Sequence, residues 1–510
     1  MFLAVAFSEI YVKILTIIEY HLGIKVFFVL SLCISAYELE IHIVHITQLM
    51  TAITYKIANY IIGIVFFAMP ISVMAQSIGI DGEKNASIGI YIKDLRTNQT
   101  IVAKDIERGY VPASVTKIIT SASAMTLLSE DYRFETIARL RGTQSASTSV
   151  WDGDIEIIAS GDPTLDSDKI SGNDEFVDSI VSSLKSMGIS RVTGSIRLID
   201  DDAPQQGPIE KWEIGDVAYA YGAGWYMFNW KDNIYRLNTT TNETKPYIPD
   251  LIVEKHRNRN GTSIVRGIGS SILSVYTPST RKNNYVFSSM PCPWVAFEYA
   301  LRKSLADAGI DVGHKYVCGD DDDTDDVKTI YSRFSPSRDI VLGSMMRRSD
   351  NMYAEGILRS FAPDEDRSEA LSKEMDLWKH RGIDMQYTRV WDGSGLSRAN
   401  RMSPLTLGCI LEYMAQHEDS TDYIKLFPVS GVSGTMRSFM DETPYKGRLA
   451  FKTGSVNGVQ CYAGYVINDV KSCHPTHVVV IMVNNFYCAR RQLKIALQKY
   501  LVKQLKEIIK

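Results

Sequence analysis

Between Ser114 and Leu128 the chain reads SVTKIITSASAMTLL, introduced by Pro112 two positions earlier. Apolar residues recur there at three- and four-residue spacing, the period of a helix with a buried face. A helix this apolar has to sit inside a sizeable core, which commits the chain to layers of secondary structure packed around it. Yet its first turn carries a hydroxyl, Ser114, and an amine, Lys117. Residues three apart on a helix share a face, so the two side chains can meet. A serine hydroxyl is a weak nucleophile at neutral pH and needs a base. A buried lysine can shed its proton near neutrality and act as one. The helix N-terminus adds positive potential where an oxyanion develops. Alone, S-x-x-K is weak evidence, because a helix cap followed by a surface lysine writes the same letters.

Two further polar strings interrupt apolar patterns. Ser349-Asp350-Asn351 falls between helical stretches at Asp339–Met346 and Met352–Phe361. From such a loop Ser349 can pass a proton to a leaving amine, and Asn351 can hold Lys117 and a substrate amide. Its ordinary reading is a helix N-cap, since all three residue types cap well. Lys452-Thr453-Gly454-Ser455 lies within a strand pattern, Arg448–Ile467. A glycine there lets a peptide lie against the strand edge. Lys452 offers charge to a terminal carboxylate, and Thr453 and Ser455 offer hydroxyls. The N–H groups of Ser114 and Ser455 can form an oxyanion hole. The ordinary reading is a hairpin glycine.

The intervals between these strings shape the rest. Ser114 to Ser349 spans 349 − 114 = 235 positions, and Ser349 to Lys452 spans 452 − 349 = 103. Ala86–Lys93 and Thr100–Lys104 read as strands around a turn. Ser403–His417 reads as a helix, His477–Asn484 as a strand, and Arg490–Ile509 as a closing amphipathic helix. The stretch between carries short alternating strands at Phe134–Leu140, Asp154–Ser160 and Arg191–Ile199. It also carries a helix over Asp174–Met187 and β structure over Pro246–Val275. The expectation is an α+β fold. Residues 76–134 and 335–510 form a catalytic body, a β-sheet flanked by helices. Residues 135–334 form a large, mainly β inserted region of one or two smaller domains.

Composition excludes some partners. The 510 residues carry a net charge of −4 and no long basic run, so a nucleic-acid partner is not expected. Gly319–Asp326 (GDDDDTDD) reads as a solvated loop, lacking the ligand spacing of a calcium hand. His474 and His477 read as surface residues rather than metal ligands. Seven cysteines (33, 292, 318, 409, 461, 473 and 488) are too few for a disulfide scaffold. One or two bridges are open to an exported chain; Cys473 and Cys488 flank a hairpin, and a reduced core role stands equally beside a bridge there. Export is expected: Met50–Gln76 has a basic start, an apolar stretch and small residues near Ala75, the grammar of a signal peptide cut after Ala75. Residues 1–49 then read as a non-native extension, with translation beginning at Met50.

S-x-x-K, S-D-N and K-T-G occur here in that order, in helix, loop and strand contexts; together they resemble the motif set of β-lactamases and penicillin-binding proteins. The wide first interval resembles the D-Ala-D-Ala carboxypeptidase/endopeptidase family of the penicillin-binding protein 4 type, class C of low molecular mass, peptidase family S13. Further strings carry the resemblance over nearly all of 76–510: Ala159–Leu165 (ASGDPTL), Tyr221-Gly222-Ala223, Asp392–Arg398 (DGSGLSR), Pro428–Thr435 (PVSGVSGT) and Ala463-Gly464-Tyr465.

The resemblance implies an acyl-enzyme on Ser114, Lys117 as base, and help from Ser349 for the leaving amine. Peptidoglycan peptides are the implied partner, β-lactams the covalent inhibitors, and no metal or organic cofactor is implied. The implied location is periplasmic or otherwise extracytoplasmic, with peripheral membrane or wall association left open. Arg398 and Asn457 match residues beside the groove that choose the peptide stem, and the family's acidic side-chain contact falls near Lys231-Asp232. Two rivals stand beside this reading: a β-lactamase, and a wall-peptide-binding protein with a vestigial site.

Overall fold

Every residue from Pro475 to Asn484 is buried, and alternate side chains go to opposite sides. Val478, Val480 and Met482 join one apolar cluster, while Val479, Ile481 and Val483 join another. Successive side chains of a strand point to opposite faces, so a strand with no polar face needs cover on both. That need organises the body of the protein. The computed structural model describes residues 77–508 apart from 145–148, 171–174, 200–205, 259–260, 279–283, 315–325 and 418. The signal reading of 50–75, the extension 1–49 and all but the last residue of the 319–326 charge run lie outside the described residues.

Five antiparallel strands form the central sheet: β1 (Ser87–Asp94), β2 (Gln99–Lys104), β3 (Leu449–Val456), β4 (Val459–Ile467) and β5 (Pro475–Asn484). Their spatial order is β3-β4-β5-β1-β2, with Ile90 opposite Ile481 where the first and last described strands pair. One face packs against α1 (Lys117–Leu127), α2 (Arg338–Arg348), α3 (Asn351–Arg359), α4 (Arg367–His380), α5 (Pro404–Gln416) and α6 (Ser420–Lys425). The other is covered by α7 (Arg490–Ile508) through Leu493, Leu497, Leu501 and Leu505, four residues apart on one stripe. Each such leucine contributes about 2 kcal/mol when fully buried. β3 is an edge strand; Pro428–Ser430 pairs with its outer rim as far as Phe451, which leaves the rim beyond that point to meet a peptide.

The chain leaves this body at Phe134 and returns at Ser335. The leaving segment Glu135–Gln144 and the returning segment Val327–Phe334 are antiparallel neighbours, Glu135 opposite Phe334. Ser335 N donates to the Phe134 carbonyl at 2.8 Å, and Phe134 N donates to the Ser335 hydroxyl at 2.9 Å. These two strands are neighbours within a six-stranded sheet, which with two three-stranded sheets surrounds an apolar core of its own. Two helices, Phe176–Ser186 and Pro293–Asp307, meet there with Phe176 and Phe297 rings 6.0 Å apart. The sequence reading assigns no element to the second. A first-turn proline and buried Phe297, Leu301 and Leu305 at four-residue spacing mark it in retrospect.

Cys292, Cys409, Cys461, Cys473 and Cys488 are free thiols, so no bridge joins Cys473 to Cys488. His477 is buried rather than on the surface, its Nδ1 hydrogen-bonded to the Thr476 hydroxyl and its Nε2 3.5 Å from Asp94. Among the described residues no helix is long and apolar enough to cross a membrane.

Candidate active site

Ser114 and Lys117 do not share an α-turn. Residues Ala113–Thr116 form a 3-10 turn, and α1 begins only at Lys117. A 3-10 turn holds three residues, so side chains at i and i+3 eclipse each other. The Lys117 Nζ accordingly stands 3.2 Å from Ser114 Oγ. Ala113 enters this turn with φ 50, in the left-handed region where a side chain is strained. Gly395 packs directly against it: a Cβ there would stand 2.0 Å from the Ala113 carbonyl oxygen.

Lys117 is fully buried and reaches two more oxygens, Asn351 Oδ1 at 2.6 Å and the Ser394 carbonyl at 2.6 Å. Burial pulls its pKa down to about 8, against the opposing charges of Asp392, Glu355 and Asp350. Asn351 is oriented from its other end, where Nδ2 donates to the Tyr221 carbonyl at 2.7 Å. That bond also decides which end of the amide is oxygen. Ser349 closes α2 in the left-handed conformation, φ 61 and ψ 40, and Asp350 caps α3 by accepting from Tyr353 N at 3.1 Å. The ordinary cap and the sharp corner therefore coexist in one three-residue string.

On β3, Lys452 turns inward rather than outward along the strand. It is fully buried, and its Nζ donates to Ser349 Oγ at 2.8 Å and to the Thr453 carbonyl at 2.8 Å. Burial, then the charge of Lys117, holds its pKa well below the usual lysine range. Gly454 brings the strand against the Ser114 turn: a Cβ there would stand 2.6 Å from the Pro112 carbonyl and 3.1 Å from Val115 N. Thr453 and Ser455 point away from that turn. The Thr453 hydroxyl bonds Thr435 Oγ1 at 3.0 Å, and the Ser455 hydroxyl accepts from Arg490 Nη1. Asn457 is exposed in the turn after β3, and Arg398 forms an ion pair with Glu213 from the inserted region.

The structure thus brings Ser114, Lys117, Asn351, Ser349, Lys452 and Gly454 into one place, and sets Thr453, Ser455, Asn457 and Arg398 around it. Lys231 and Asp232 are placed differently from the expected stem contact. Asp232 is buried, accepting from Ser167 at 2.7 Å and Tyr353 at 3.2 Å, with Lys169 at 3.3 Å. Lys231 lies 3.6 Å from Glu175 and over the Trp230 ring. Both line a cavity of about 550 Å³ with Lys169, Arg236, Lys245 and Phe287 that Ser114 does not line. The acidic side chain linked to Asn351 is Asp216, which accepts from the Tyr221 phenol at 2.8 Å.

Other participants received no role from the sequence, although Asp392 opens the Asp392–Arg398 string. Asp392 is a hub, accepting from Trp212 Nε1, Gly395 N, Ser397 N and Asn400 Nδ2 at 2.6–2.9 Å. Trp212, from the inserted region, packs on Leu396 and Val456 beside the strand. Glu355 accepts from Ser394 N at 2.9 Å and Gly393 N at 3.3 Å, and so holds the carbonyl that Lys117 uses. The helical spacing of Glu355 from Asn351 was the one available hint.

Residues 74–499 match the D-Ala-D-Ala carboxypeptidase 3 (S13) family. The chain is 24% identical over 420 residues to D-alanyl-D-alanine carboxypeptidase DacB of Haemophilus influenzae, covering 76% of this chain and 83% of that one. It is 22% identical over 415 residues to the D-alanyl-D-alanine carboxypeptidase of Actinomadura sp. strain R39, covering 75% and 76%. The crystal structure of penicillin-binding protein 4 (dacB) from Haemophilus influenzae superposes with a TM-score of 0.70 at 20% identity, over 83% of this chain and 97% of that one. The fold is therefore shared with a penicillin-binding protein, α+β in class.

Proposed function

Because this chain belongs to the D-Ala-D-Ala carboxypeptidase (S13) family and is a serine DD-peptidase, we propose that Ser114 is its nucleophile and Lys117 the base that activates it. One observation carries the assignment. Of the three oxygens around Lys117 Nζ, Asn351 Oδ1 and the Ser394 carbonyl can only accept. In the neutral amine they take both N–H groups and leave the lone pair facing Ser114, whose hydroxyl then donates.

Attack forms a bond from Ser114 Oγ to the carbonyl carbon of the penultimate D-Ala and moves the hydroxyl proton to Lys117. The backbone N–H groups of Ser114 and Ser455 receive the oxyanion. Collapse breaks the C–N bond, and the leaving nitrogen takes a proton through Ser349, whose oxygen Lys452 holds. Water then attacks the ester, releases the shortened peptide and restores Ser114. One N–H of Asn351 Nδ2 remains for a substrate carbonyl. The preceding stem side chain meets Asp216 and Tyr221, flanked by Arg398 and Asn457, so a stem amine is the matching charge. β-Lactams acylate the same hydroxyl. Peptidoglycan substrate places the enzyme outside the cytoplasm, in the periplasm or at the wall.

Mass spectrometry of purified muropeptides tests this directly. Loss of one alanine marks carboxypeptidase action, and dimers falling to monomers mark endopeptidase action. Ser114→Ala should cut either release by at least about 10³-fold and abolish labelling by a fluorescent penicillin. A Ser114→Ala protein that still takes the label sinks the assignment.

A further inference from the structure

A second opening lies behind the S-D-N corner. It is the cavity of about 550 Å³ that Lys231 and Asp232 line. Two more of its lining residues lead back to the reaction site. Lys169 pairs with Asp350 at 2.5 Å, and Ala220 directly precedes Tyr221, whose carbonyl orients Asn351. The cavity and the catalytic corner therefore share a wall.

Another part of the lining comes from three paired strands of the inserted region, Tyr285–Ser289, Ile234–Asn238 and Thr244–Lys245. Phe287 stands opposite Arg236, and Arg236 stands opposite Lys245. Directly opposed residues of an antiparallel pair share a face, and all three line the cavity. Arg236 and Lys245 are like charges set side by side, an arrangement that destabilises a sheet. Among the described residues neither side chain has a carboxylate within 4.0 Å or a hydrogen bond. The Arg236 guanidinium lies instead over the Tyr285 ring, 4.6 Å from its centre, which holds the fork without using its N–H groups. The acids of the cavity do not relieve the pair. Asp232 faces Lys169 at 3.3 Å and Glu175 faces Lys231 at 3.6 Å, which leaves the exposed Asp168 against two cations. Beside them Phe287 is 59% exposed, an apolar ring kept in water.

Such a row fits an anion carried on a partly apolar frame. An arginine fork gives a carboxylate two parallel bonds, and a lysine adds a point charge. The polymer that a DD-peptidase cuts repeats such groups: its stem peptides carry free carboxylates beside alanine methyl groups, which suit an exposed ring.

We propose that Arg236, Lys245 and Phe287 form a second binding site, for a carboxylate-bearing stem peptide of the same wall polymer whose neighbouring stem occupies the Ser114 groove. The inference rests on the DD-peptidase reading of that groove and adds a contact that only polymeric substrate can make. Two weak contacts on one polymer reinforce each other, because the first raises the local concentration for the second.

The test reads binding and cleavage separately. Ser114→Ala protein is sedimented with purified sacculi freed of phosphate-bearing polymers, and compared with the same protein also carrying Arg236→Gln and Lys245→Gln. The two added changes should weaken binding about 5- to 20-fold at low salt. That difference should vanish on sacculi whose carboxyl groups have been amidated. With Ser114 intact, Arg236→Gln/Lys245→Gln should keep kcat/KM on N-acylated L-Lys-D-Ala-D-Ala within about twofold. On uncrosslinked polymer it should lose as much as binding does, mostly through KM. Equal binding with and without the two changes overturns the inference. So does a difference that persists on amidated sacculi, or one that appears only when phosphate-bearing polymer is left in place, which assigns the cavity to phosphate. An equal loss on the small peptide also overturns it, leaving the two cations a structural part of the sheet while the DD-peptidase reading survives. A wild type that cleaves neither substrate overturns the DD-peptidase reading, and the inference with it.

Discussion

Two buried acid clusters lie on either side of α3, and they are built on opposite principles. At its N-terminus Asp350 and Asp232 share one cation, Lys169, at 2.5 and 3.3 Å. The hydroxyls of Ser167 and Tyr353 complete the shell of Asp232. One turn further on, Glu355, Glu374 and Asp392 gather near Lys117, and among the described residues none forms an ion pair. Asp392 is satisfied by four N–H donors and Glu355 by two. Both oxygens of Glu374 lack a partner, although the Thr120 and Ser123 hydroxyls lie close by. Burial, then the neighbouring Asp392, lifts Glu355 to about 7; burial, then Glu355, lifts Glu374 to about 8. A carboxylate paired with a cation fixes position. Glu355 and Glu374, without a cation, hold their protons to higher pH, and the charge of Glu355 becomes a variable that Lys117 feels.

Lys169→Met breaks the comparison hardest. It leaves Asp350 and Asp232 buried together with no cation between them. Stranding buried charge costs about 3 kcal/mol, and the S-D-N corner loses its support, since Asp350 caps α3. Urea unfolding should show that loss, and kcat/KM should fall with it. A midpoint unchanged from wild type shows that the first cluster is no strut.

That strut also marks where reading the sequence stops. The three catalytic strings are legible because each is polar inside an apolar pattern, and their order and contexts restrict what they can form. α7 is legible through Leu493, Leu497, Leu501 and Leu505. Lys169, Trp212, Asp216 and Arg490 are not, because their meaning comes from partners up to 181 positions away, as between Lys169 and Asp350. The expected stem contact at Lys231-Asp232 went astray for the same reason. The resemblance alone does not say which acid turns toward Tyr221; in the structure it is Asp216. α4 escaped the sequence reading because its buried stripe, Ala370, Glu374 and Trp378, has a carboxyl at its centre. A buried Glu is read as surface unless its neighbours are known.

Glu355→Gln sharpens the second half of the comparison. With the Lys117 pKa at about 8, the acid limb of wild-type kcat/KM should have its midpoint there, and roughly one tenth of Lys117 is neutral at pH 7. Asp392, Glu355 and Asp350 favour the ammonium, against its burial. Removing the Glu355 charge disfavours the ammonium and should move the limb to lower pH. If Glu355 serves only to hold Gly393 and Ser394, kcat falls and the limb stays where it is. A limb that moves upward contradicts the electrostatic account.

Glu374→Gln should have the smallest effect near neutrality, and its pH dependence is the telling part. A carboxyl held at about 8 in the folded protein, against 4.5 for the free side chain, keeps its proton in the native state long after the unfolded chain has lost it. The native state binds more protons between those values, so this group's contribution to stability is full below about 4.5 and is lost as pH rises through about 8. Glutamine is neutral throughout and removes that slope. At pH 7 the variant should match the wild-type kcat/KM limb, because a neutral group has replaced a largely neutral one. Above pH 8 it should be the more stable protein, seen as a higher urea midpoint, while the wild type weakens from pH 5 to 8. Parallel pH–stability curves for the two proteins would mean that Glu374 is ionised and satisfied in its pocket. The second cluster would then be a hidden counterpart of the first.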